Sequence, residues 1–554
     1  MAERSGLSSR MARLNPFKRR AMREEEDEDR GEEIDSDTVA GGGHTAHATD
    51  RPRRELQLSD PFKALLAEHG IGDDALGALL EKHHIDVPAH VTDKSHPLPE
   101  YFISSSHNTY LMAHQLFGES SAGAYEATLN AGAKCVEIDA WDNDDDPAEP
   151  KVTHGFTLVS NIPFRSVCET IRDVMDREEA ASPGAAAPIL LSLENHCNAA
   201  GQLRLVEIMN EVWGERLLVA PVRDDNPEAH VTLGELGSKV VVIVEHHIPD
   251  EAEDTSSSSS SSSSEDEDEK QARDDYKEKK KAAPTTVIIP ELAALGVYAQ
   301  SVKPSNSSWF GEGGLLNSPH HPLINVSESG LSSHLPANAA AISRHNARHL
   351  MRVYPKGTRI SSKNLHPEKY WGVGAQVVAL NWQTFGTGMQ LNEALFTNTS
   401  GFVLKPDALR AGGDGVLLTG NRNKTLRLVV GGAFDVPVPG DRQASDIKPY
   451  LTCSLTQPGS TTKRKTATLK DTGDGRGTLS PLWNETLEWK YDETELEFLR
   501  LMVKSDDSYS SNPILAVASV RLLYVVPGWI LVPMLDLKGH QKAWLLVKFE
   551  IEDA

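Results

Sequence analysis

The chain has 554 residues, 39% hydrophobic and 25% charged, with nine Trp and a formal net charge of -24. It is too long for one compact domain, and its composition is that of a globular protein of two or three units, neither fibrous nor wholly disordered. The charge excludes a general nucleic-acid binder, which needs a basic field to displace counterions from phosphates. Part of the acidity is local, in the runs Glu24–Asp29 and Glu265–Glu269, so the folded part is less acidic than the total.

No apolar run reaches the roughly 20 residues that a membrane-spanning helix needs. Val240–Val244 is too short, and Leu522–Leu535 is broken by Pro527, Gly528 and Pro533. The N-terminus lacks an apolar signal-peptide core, so the expected membrane contact is peripheral. Cys135, Cys168, Cys197 and Cys453 show no paired metal-type spacing and fit a reducing compartment.

Residues 1–54 begin basic, from Arg10 to Arg23, turn acidic and continue Gly- and His-rich, which reads as a disordered tail. Residues 55–96 hold two short helical patterns, Asp60–Glu68 and Asp73–His83, expected to form a small helical region packed against the domain C-terminal to it. Neither carries the acidic twelve-residue loop of a calcium-binding helical hand.

From Tyr101 to about Lys405, strand-like runs alternate with helical stretches: Tyr101–Ser105, Cys135–Ala140, Ile189–Glu194, Val240–Glu245, Val297–Val302, Val377–Trp382 and Phe402–Lys405. This α/β alternation predicts a TIM-type (β/α)8 barrel. Residues 250–284 interrupt it with nine consecutive serines, Ser256–Ser264, then acidic and lysine-rich blocks. Such a segment cannot bury a core and is read as a disordered acidic linker between barrel halves 97–249 and 285–412. Over 413–554, closely spaced strand candidates predict an all-β antiparallel sandwich.

Polar residues fall at the strand ends. His107 and Asn108 follow Tyr101–Ser105, Glu137 and Asp139 close Cys135–Ala140, His154 precedes Gly155, and Glu194 closes its strand. In a βα barrel these ends converge on one face. Glu137 and Asp139, two apart, point to the same side. With Asn108 and Glu194 they offer an oxygen-rich cage that suits calcium better than zinc. A hard cation beside two histidines suffices for phosphodiester cleavage. Each residue alone has a structural alternative, as a cap, a surface carboxylate or a packed histidine.

Longer blocks favour the functional reading. Pro97–Leu111 (PLPEYFISSSHNTYL), Ala131–Asp142 (AGAKCVEIDAWD), His154-Gly155-Phe156-Thr157 and Ile189–Cys197 (ILLSLENHC) resemble the X half of the catalytic barrel of eukaryotic phosphoinositide-specific phospholipases C. Leu295–Lys303, Ser327-Glu328, Arg352–Gly357 (RVYPKG), Tyr370-Trp371, Gln376–Thr384 (QVVALNWQT) and Gly401–Pro406 (GFVLKP) resemble the Y half, and the terminal sandwich resembles a C2 domain.

The resemblance implies that Asn108, Glu137, Asp139 and Glu194 bind Ca2+. It implies that His107 stabilises the phosphoryl transition state, that His154 is general acid and then base, and that Glu137 takes the proton of the inositol 2-hydroxyl. Ser327, Arg352 and Tyr354 would hold the inositol ring and its 4-phosphate. The implied substrate is an inositol phospholipid at a membrane surface, cleaved by a cytoplasmic enzyme that visits the membrane transiently. The alternative is a catalytically inactive relative that binds inositol lipids as a scaffold.

The chain departs from the family pattern in three places. Ile243 and Glu245 stand where two alternating lysines usually grip the 4- and 5-phosphates, so preference for the bisphosphate does not carry over. In the C2-like domain Asp446 and Asp507 fit calcium-loop positions, whereas Ser480 and Ser505 replace an amide and a carboxylate. No pleckstrin-type lipid-binding domain is expected within residues 1–54, and residues 55–96 are read as at most an abbreviated EF-hand-like remnant.

Overall fold

The protein is described by a computed structural model. It covers residues 28–29, 31–32, 58–111, 120–153, 160–184, 186–223, 229–246, 287–303, 308–311, 319–356, 363–417, 420, 422–440, 442–470, 472–475, 477–506 and 512–554. The linker 250–284, the basic run Arg10–Arg23, His154 and Asp507 lie outside the described residues.

Eight strands form a parallel ring: β1 (Tyr101–Ile103), β2 (Cys135–Trp141), β3 (Ile189–Asn195), β4 (Val240–Glu245), β5 (Gln300–Val302), β6 (Pro322–Ser327), β7 (Leu350–Tyr354) and β8 (Val377–Val378). Each pairs with the next from β2 to β8, and β8 returns to β1 through Ile103 opposite Val377. A parallel bridge between Ser105 and Cys135 closes the ring, with Ser106 N–H donating to the Cys135 carbonyl at 2.8 Å. This is the expected TIM-type barrel.

The period of two decides what each strand presents. Val136, Ile138, Ile189, Leu191, Val240 and Val242 face outward and pack with Phe164, Val167 and Ile171 of the helix Phe164–Ala181. Tyr101, Ile103, Cys135, Leu190, Val241, Leu323, Leu350 and Val377 form a buried apolar layer inside the ring. Continuing by twos along the same faces reaches Glu137 and Asp139, Ser192 and Glu194, Ile243 and Glu245, Asn325 and Ser327, Arg352 and Tyr354. The barrel is thus apolar at one end and polar at the carboxyl ends of its strands.

Two strand expectations change. The segments Pro322–Ser327 and Leu350–Tyr354 are barrel strands that do not stand out as apolar runs. Phe402–Leu404, read as one of the alternating runs, instead pairs antiparallel with β1, Tyr101 opposite Leu404, outside the parallel ring. It seals the apolar end beside Tyr101, whose ring meets Phe402 edge-on at 6.4 Å.

The C-terminal domain is an antiparallel sandwich with ladder order Ser460–Lys465, Pro449–Gln457, Phe498–Ser505, Ile514–Arg521, Gly528–Leu535, Gln541–Asp553, Asn423–Phe434 and Leu482–Asp492. Ile514–Arg521 and Gly528–Leu535 share a single pair, Val517 with Leu535, where the ladder folds into two layers around Leu428, Leu451, Trp489, Leu501, Ile530 and Leu545. The helices Asp60–Glu68 and Asp73–Glu81 form as expected. They pack on this sandwich rather than on the barrel: Phe62 meets Phe434 edge-on at 5.6 Å, and Leu65, Leu66 and Leu79 cover Trp529 and Leu546.

Barrel and sandwich share an apolar seam. Trp371 and Phe396 of the barrel pack with Phe498, Met502 and Tyr524 of the sandwich, and the Tyr524 hydroxyl donates to the Leu395 carbonyl at 3.0 Å. Within residues 1–54, Glu28, Asp29, Gly31 and Glu32 are not part of a free tail. They lie docked along this seam.

Candidate active site

Glu137 sits in the middle of β2, 2% exposed, and every polar atom of the residue is engaged. Its N–H donates to Thr109 Oγ1 at 3.0 Å and its carbonyl accepts from the Tyr125 hydroxyl at 2.7 Å. Its Oε2 accepts the Asn108 backbone N–H at 2.8 Å, and Oε1 pairs with Arg352 Nη2 at 2.5 Å. Asn108 makes its bond from φ +46°, a left-handed conformation that Asn tolerates better than most residues. Arg352 also donates through Nη1 to Asn325 Oδ1 at 3.2 Å, and its guanidinium lies 5.5 Å from the Tyr354 ring centroid. Burial alone would lower the Arg352 pKa, but the Glu137 carboxylate holds it above its ordinary value.

Asp139 and Glu194 are direct neighbours across the β2–β3 ladder. Asp139 Oδ2 accepts the Tyr110 hydroxyl at 2.7 Å. Among the described residues, Asp139, Glu194 and His196 bring one potential ligand atom each within 4.8 Å of one another. His196 stacks on Trp141 with ring centroids 4.0 Å apart, and its Nε2 lies 3.5 Å from Glu194 Oε1. Two carboxylates, with Glu137 and Asn108 alongside, make a donor set dominated by hard oxygen, which fits a cation such as calcium. His196 is an addition to the set read from the sequence.

His107 follows β1, where its N–H donates to the Leu380 carbonyl at 2.7 Å. Its Nδ1 lies 2.9 Å from Asn381 Oδ1, an oxygen that fits an accepting role because Asn381 Nδ2 donates to the Lys363 carbonyl. In the neutral ring the Nδ1 proton is therefore committed to Asn381, and Nε2 carries the lone pair. Burial lowers the His107 pKa, opposed by Glu137 and by the Asn381 hydrogen bond. Asn381 is not among the residues the sequence marks as functional, although it is the one polar residue inside the buried run Val377–Trp382.

Ser327 caps the helix Glu328–Ser332, accepting the Gly330 N–H at 3.1 Å, and stands opposite Tyr354 in the β6–β7 ladder. Glu245 ends β4 and pairs with Lys303 Nζ at 2.9 Å. That carboxylate holds the lysine pKa above its usual value, with Glu194 adding to the effect. Ile243 is part of the barrel's inner apolar layer. In the sandwich, Asp446 accepts the Gln443 N–H at 3.3 Å and the Ser505 hydroxyl accepts the Lys448 N–H at 3.2 Å. The four cysteines are free and buried; burial pushes the Cys135 thiol up to about 12, which removes it as a nucleophile.

A parallel barrel with an acidic cluster, an oriented imidazole and an Arg–Glu pair at its carboxyl face is accompanied by matches along the chain. Residues 94–246 match the phosphatidylinositol-specific phospholipase C X domain, 292–408 the corresponding Y domain and 424–532 the C2 domain. The chain belongs to the eukaryotic phosphoinositide-specific phospholipase C family.

Among its relatives is 1-phosphatidylinositol 4,5-bisphosphate phosphodiesterase 1 of Candida albicans, 35% identical over 536 residues, covering 82% of this chain and 47% of that protein. The delta-3 phosphodiesterase of Homo sapiens is 32% identical over 489 residues, covering 86% and 59%. The chain thus spans about half to three fifths of the length of these relatives. The crystal structure of L. pealei PLC21 superposes with a TM-score of 0.69 at 25% identity, over 94% of this chain and 65% of that one. Among the described residues, no helix is long and apolar enough to cross a membrane.

Proposed function

We propose that this chain is an active phosphoinositide phospholipase C that releases diacylglycerol and inositol phosphates from inositol lipids, working in the cytoplasm and at the membrane surface. The observation that carries the reading is the convergence of His107, Asn108, Glu137, Asp139, Glu194 and Arg352, from both halves of the chain, at one end of the barrel. No observation favours a catalytically inactive scaffold.

Asp139 and Glu194, with Asn108 and Glu137, would hold calcium, which when bound supplies positive charge to a phosphoryl oxygen and acidifies the inositol 2-hydroxyl. Glu137 would take the proton of that hydroxyl, exchanging one of its present partners for the substrate. The 2-oxygen attacks phosphorus, the bond to the glycerol oxygen breaks, and diacylglycerol leaves with a proton from His154. Water then opens the cyclic phosphate, with His154 taking its proton. His107 takes up a proton from solvent at Nε2 as an anionic phosphate approaches and donates it in a hydrogen bond to the developing phosphorane, while Asn381 keeps the ring in place. Ser327, Arg352 and Tyr354 would hold the inositol ring and its 4-phosphate.

The test is release of water-soluble inositol phosphates from vesicles of phosphatidylinositol, its 4-phosphate and its 4,5-bisphosphate, with calcium or with chelator. Calcium-dependent release from at least one lipid supports the proposal; none from any, with the protein folded, overturns it.

A further inference from the structure

The run Glu24–Asp29 looks in the sequence like solvated charge, yet the Glu28 carboxylate is buried and paired, and Asp29, half-exposed, is held against the barrel. Glu28 Oε1 accepts from Lys504 Nζ and Oε2 from Lys463 Nζ, both at 2.7 Å, and the Glu28 carbonyl accepts from Arg500 Nη2 at 2.6 Å. These three cations belong to the sandwich. On the barrel side, Asp29 Oδ1 accepts the Thr387 hydroxyl at 2.9 Å and Oδ2 lies 3.3 Å from His366 Nε2. Gly31 passes so close to the Phe385–Gly386 peptide that a β-carbon there would overlap it, and the Glu32 N–H donates to the Leu537 carbonyl at 3.2 Å.

The slot is built for a negative guest. The Lys504 side chain is 1% exposed and Arg500 is 5% exposed. Burial pulls the Arg500 pKa down to about 10 even with Glu28 and Asp29 opposing it. A buried cation is tolerated when it is paired and strongly destabilising when its partner is removed. Arg500 also donates through Nε to Gln390 Oε1 of the barrel helix Thr387–Phe396 at 2.6 Å, so the same cation touches both domains and the segment.

We propose that the seam between barrel and sandwich is a binding slot for an acidic peptide of pattern Glu-Asp-x-Gly, that its occupant is the chain's own Glu28–Gly31, and that this occupant clamps the two domains together. Each feature of the pattern has its own reason: Glu for the two lysines, Asp for Thr387 and His366, and Gly for the contact with Phe385–Gly386. The clamp is independent of the catalytic reading.

The experiment uses the full chain and hydrogen–deuterium exchange over residues 385–390 and 498–505, with 189–195 in the barrel wall as the fold control. Glu28→Lys should speed exchange in both seam segments on the order of tenfold or more while the control segment stays protected. Gly31→Val, which alters no charge, should do the same through the blocked backbone approach. Glu32→Lys changes charge equally, but its side chain is exposed, and it should leave the seam unchanged. Adding Lys463→Glu to Glu28→Lys should restore part of the protection. Unchanged seam exchange in both Glu28→Lys and Gly31→Val would overturn the proposal, as would an equal effect of Glu32→Lys.

Discussion

Arg352 and Glu137 stand 215 positions apart in the chain and meet inside the barrel at 2.5 Å, one from each matched half. Both side chains are at most 5% exposed, so the pair is a desolvated contact that each half needs the other to complete. Arg352→Ala should lower stability by about 3–5 kcal/mol, because the buried Glu137 side chain loses its ion-pair partner. Arg352→Lys should recover part of this while losing the second donor to Asn325. Denaturant unfolding checks both; a loss below about 1 kcal/mol in the alanine variant would mean that water replaces the guanidinium.

Two substitutions separate chemistry from positioning at His107. His107→Ala should lower turnover by at least about 10²-fold, the lower end of what an acid–base group contributes. Asn381→Ala leaves the imidazole present but unanchored, and should lower kcat on the order of tenfold with KM nearly unchanged. A rise in KM with kcat intact would assign Asn381 to substrate binding instead.

At the mouth, Glu245 neutralises Lys303 and would repel a ring phosphate. A unit charge about 4 Å away costs about 1 kcal/mol in water and about 4 kcal/mol at an effective dielectric near 20. Glu245→Lys should therefore raise the rate on the bisphosphate relative to unphosphorylated phosphatidylinositol. Glu245→Gln, which releases Lys303, should move the ratio in the same direction by less. A flat ratio in both variants, measured on matched vesicles, would place the pair away from the ring phosphates.

Calcium affinity can be read without turnover. A ligand that binds only the folded state at a hundred times its Kd adds about 2.7 kcal/mol. Calcium should raise the Tm of the full chain, and Asp139→Asn should abolish much of that rise. An identical rise in the variant would locate binding elsewhere, the C2 loops being the first alternative.

The seam carries a pH dependence through His366, which faces Asp29, Glu368 and Lys369. The hydrogen bond that the His366 ring donates to Asp29 raises the His366 pKa in the docked state. A raised folded-state value means that this contribution is fully present below the unfolded histidine value and fades as pH rises through the docked one. Exchange in segment 385–390 should accelerate over that window, and His366→Gln should flatten the response. A response unchanged in His366→Gln would point to another group.

The sequence makes some strands plain and hides others for one physical reason. Cys135–Trp141, Ile189–Asn195 and Val240–Glu245 are buried on both faces through most of their length, so they read as apolar runs. Pro322–Ser327 and Leu350–Tyr354 turn Asn325, Ser327, Arg352 and Tyr354 into the barrel, and these polar groups erase the run that would announce a strand. The carboxylates at strand ends are legible because period two and barrel topology place them together. Asn381, His196 and the Glu137–Arg352 pair are not, since each depends on contacts far apart in sequence. Glu28 shows the converse. A charge run looks solvated until a distant domain supplies Lys463, Arg500 and Lys504.

The closed ring also changes what the peptide bond between its halves is worth. Strand β1 is flanked by β8 on one side and reaches β2 through the Ser105–Cys135 bridge, while β4 and β5 meet directly at Val244–Gln300 and Glu245–Ser301. The ladder therefore runs continuously past the point where the chain leaves for the linker. A polypeptide ending after β4 and a second one beginning before β5 retain every strand pairing between them, so the barrel can in principle be assembled as a heterodimer from separately made chains.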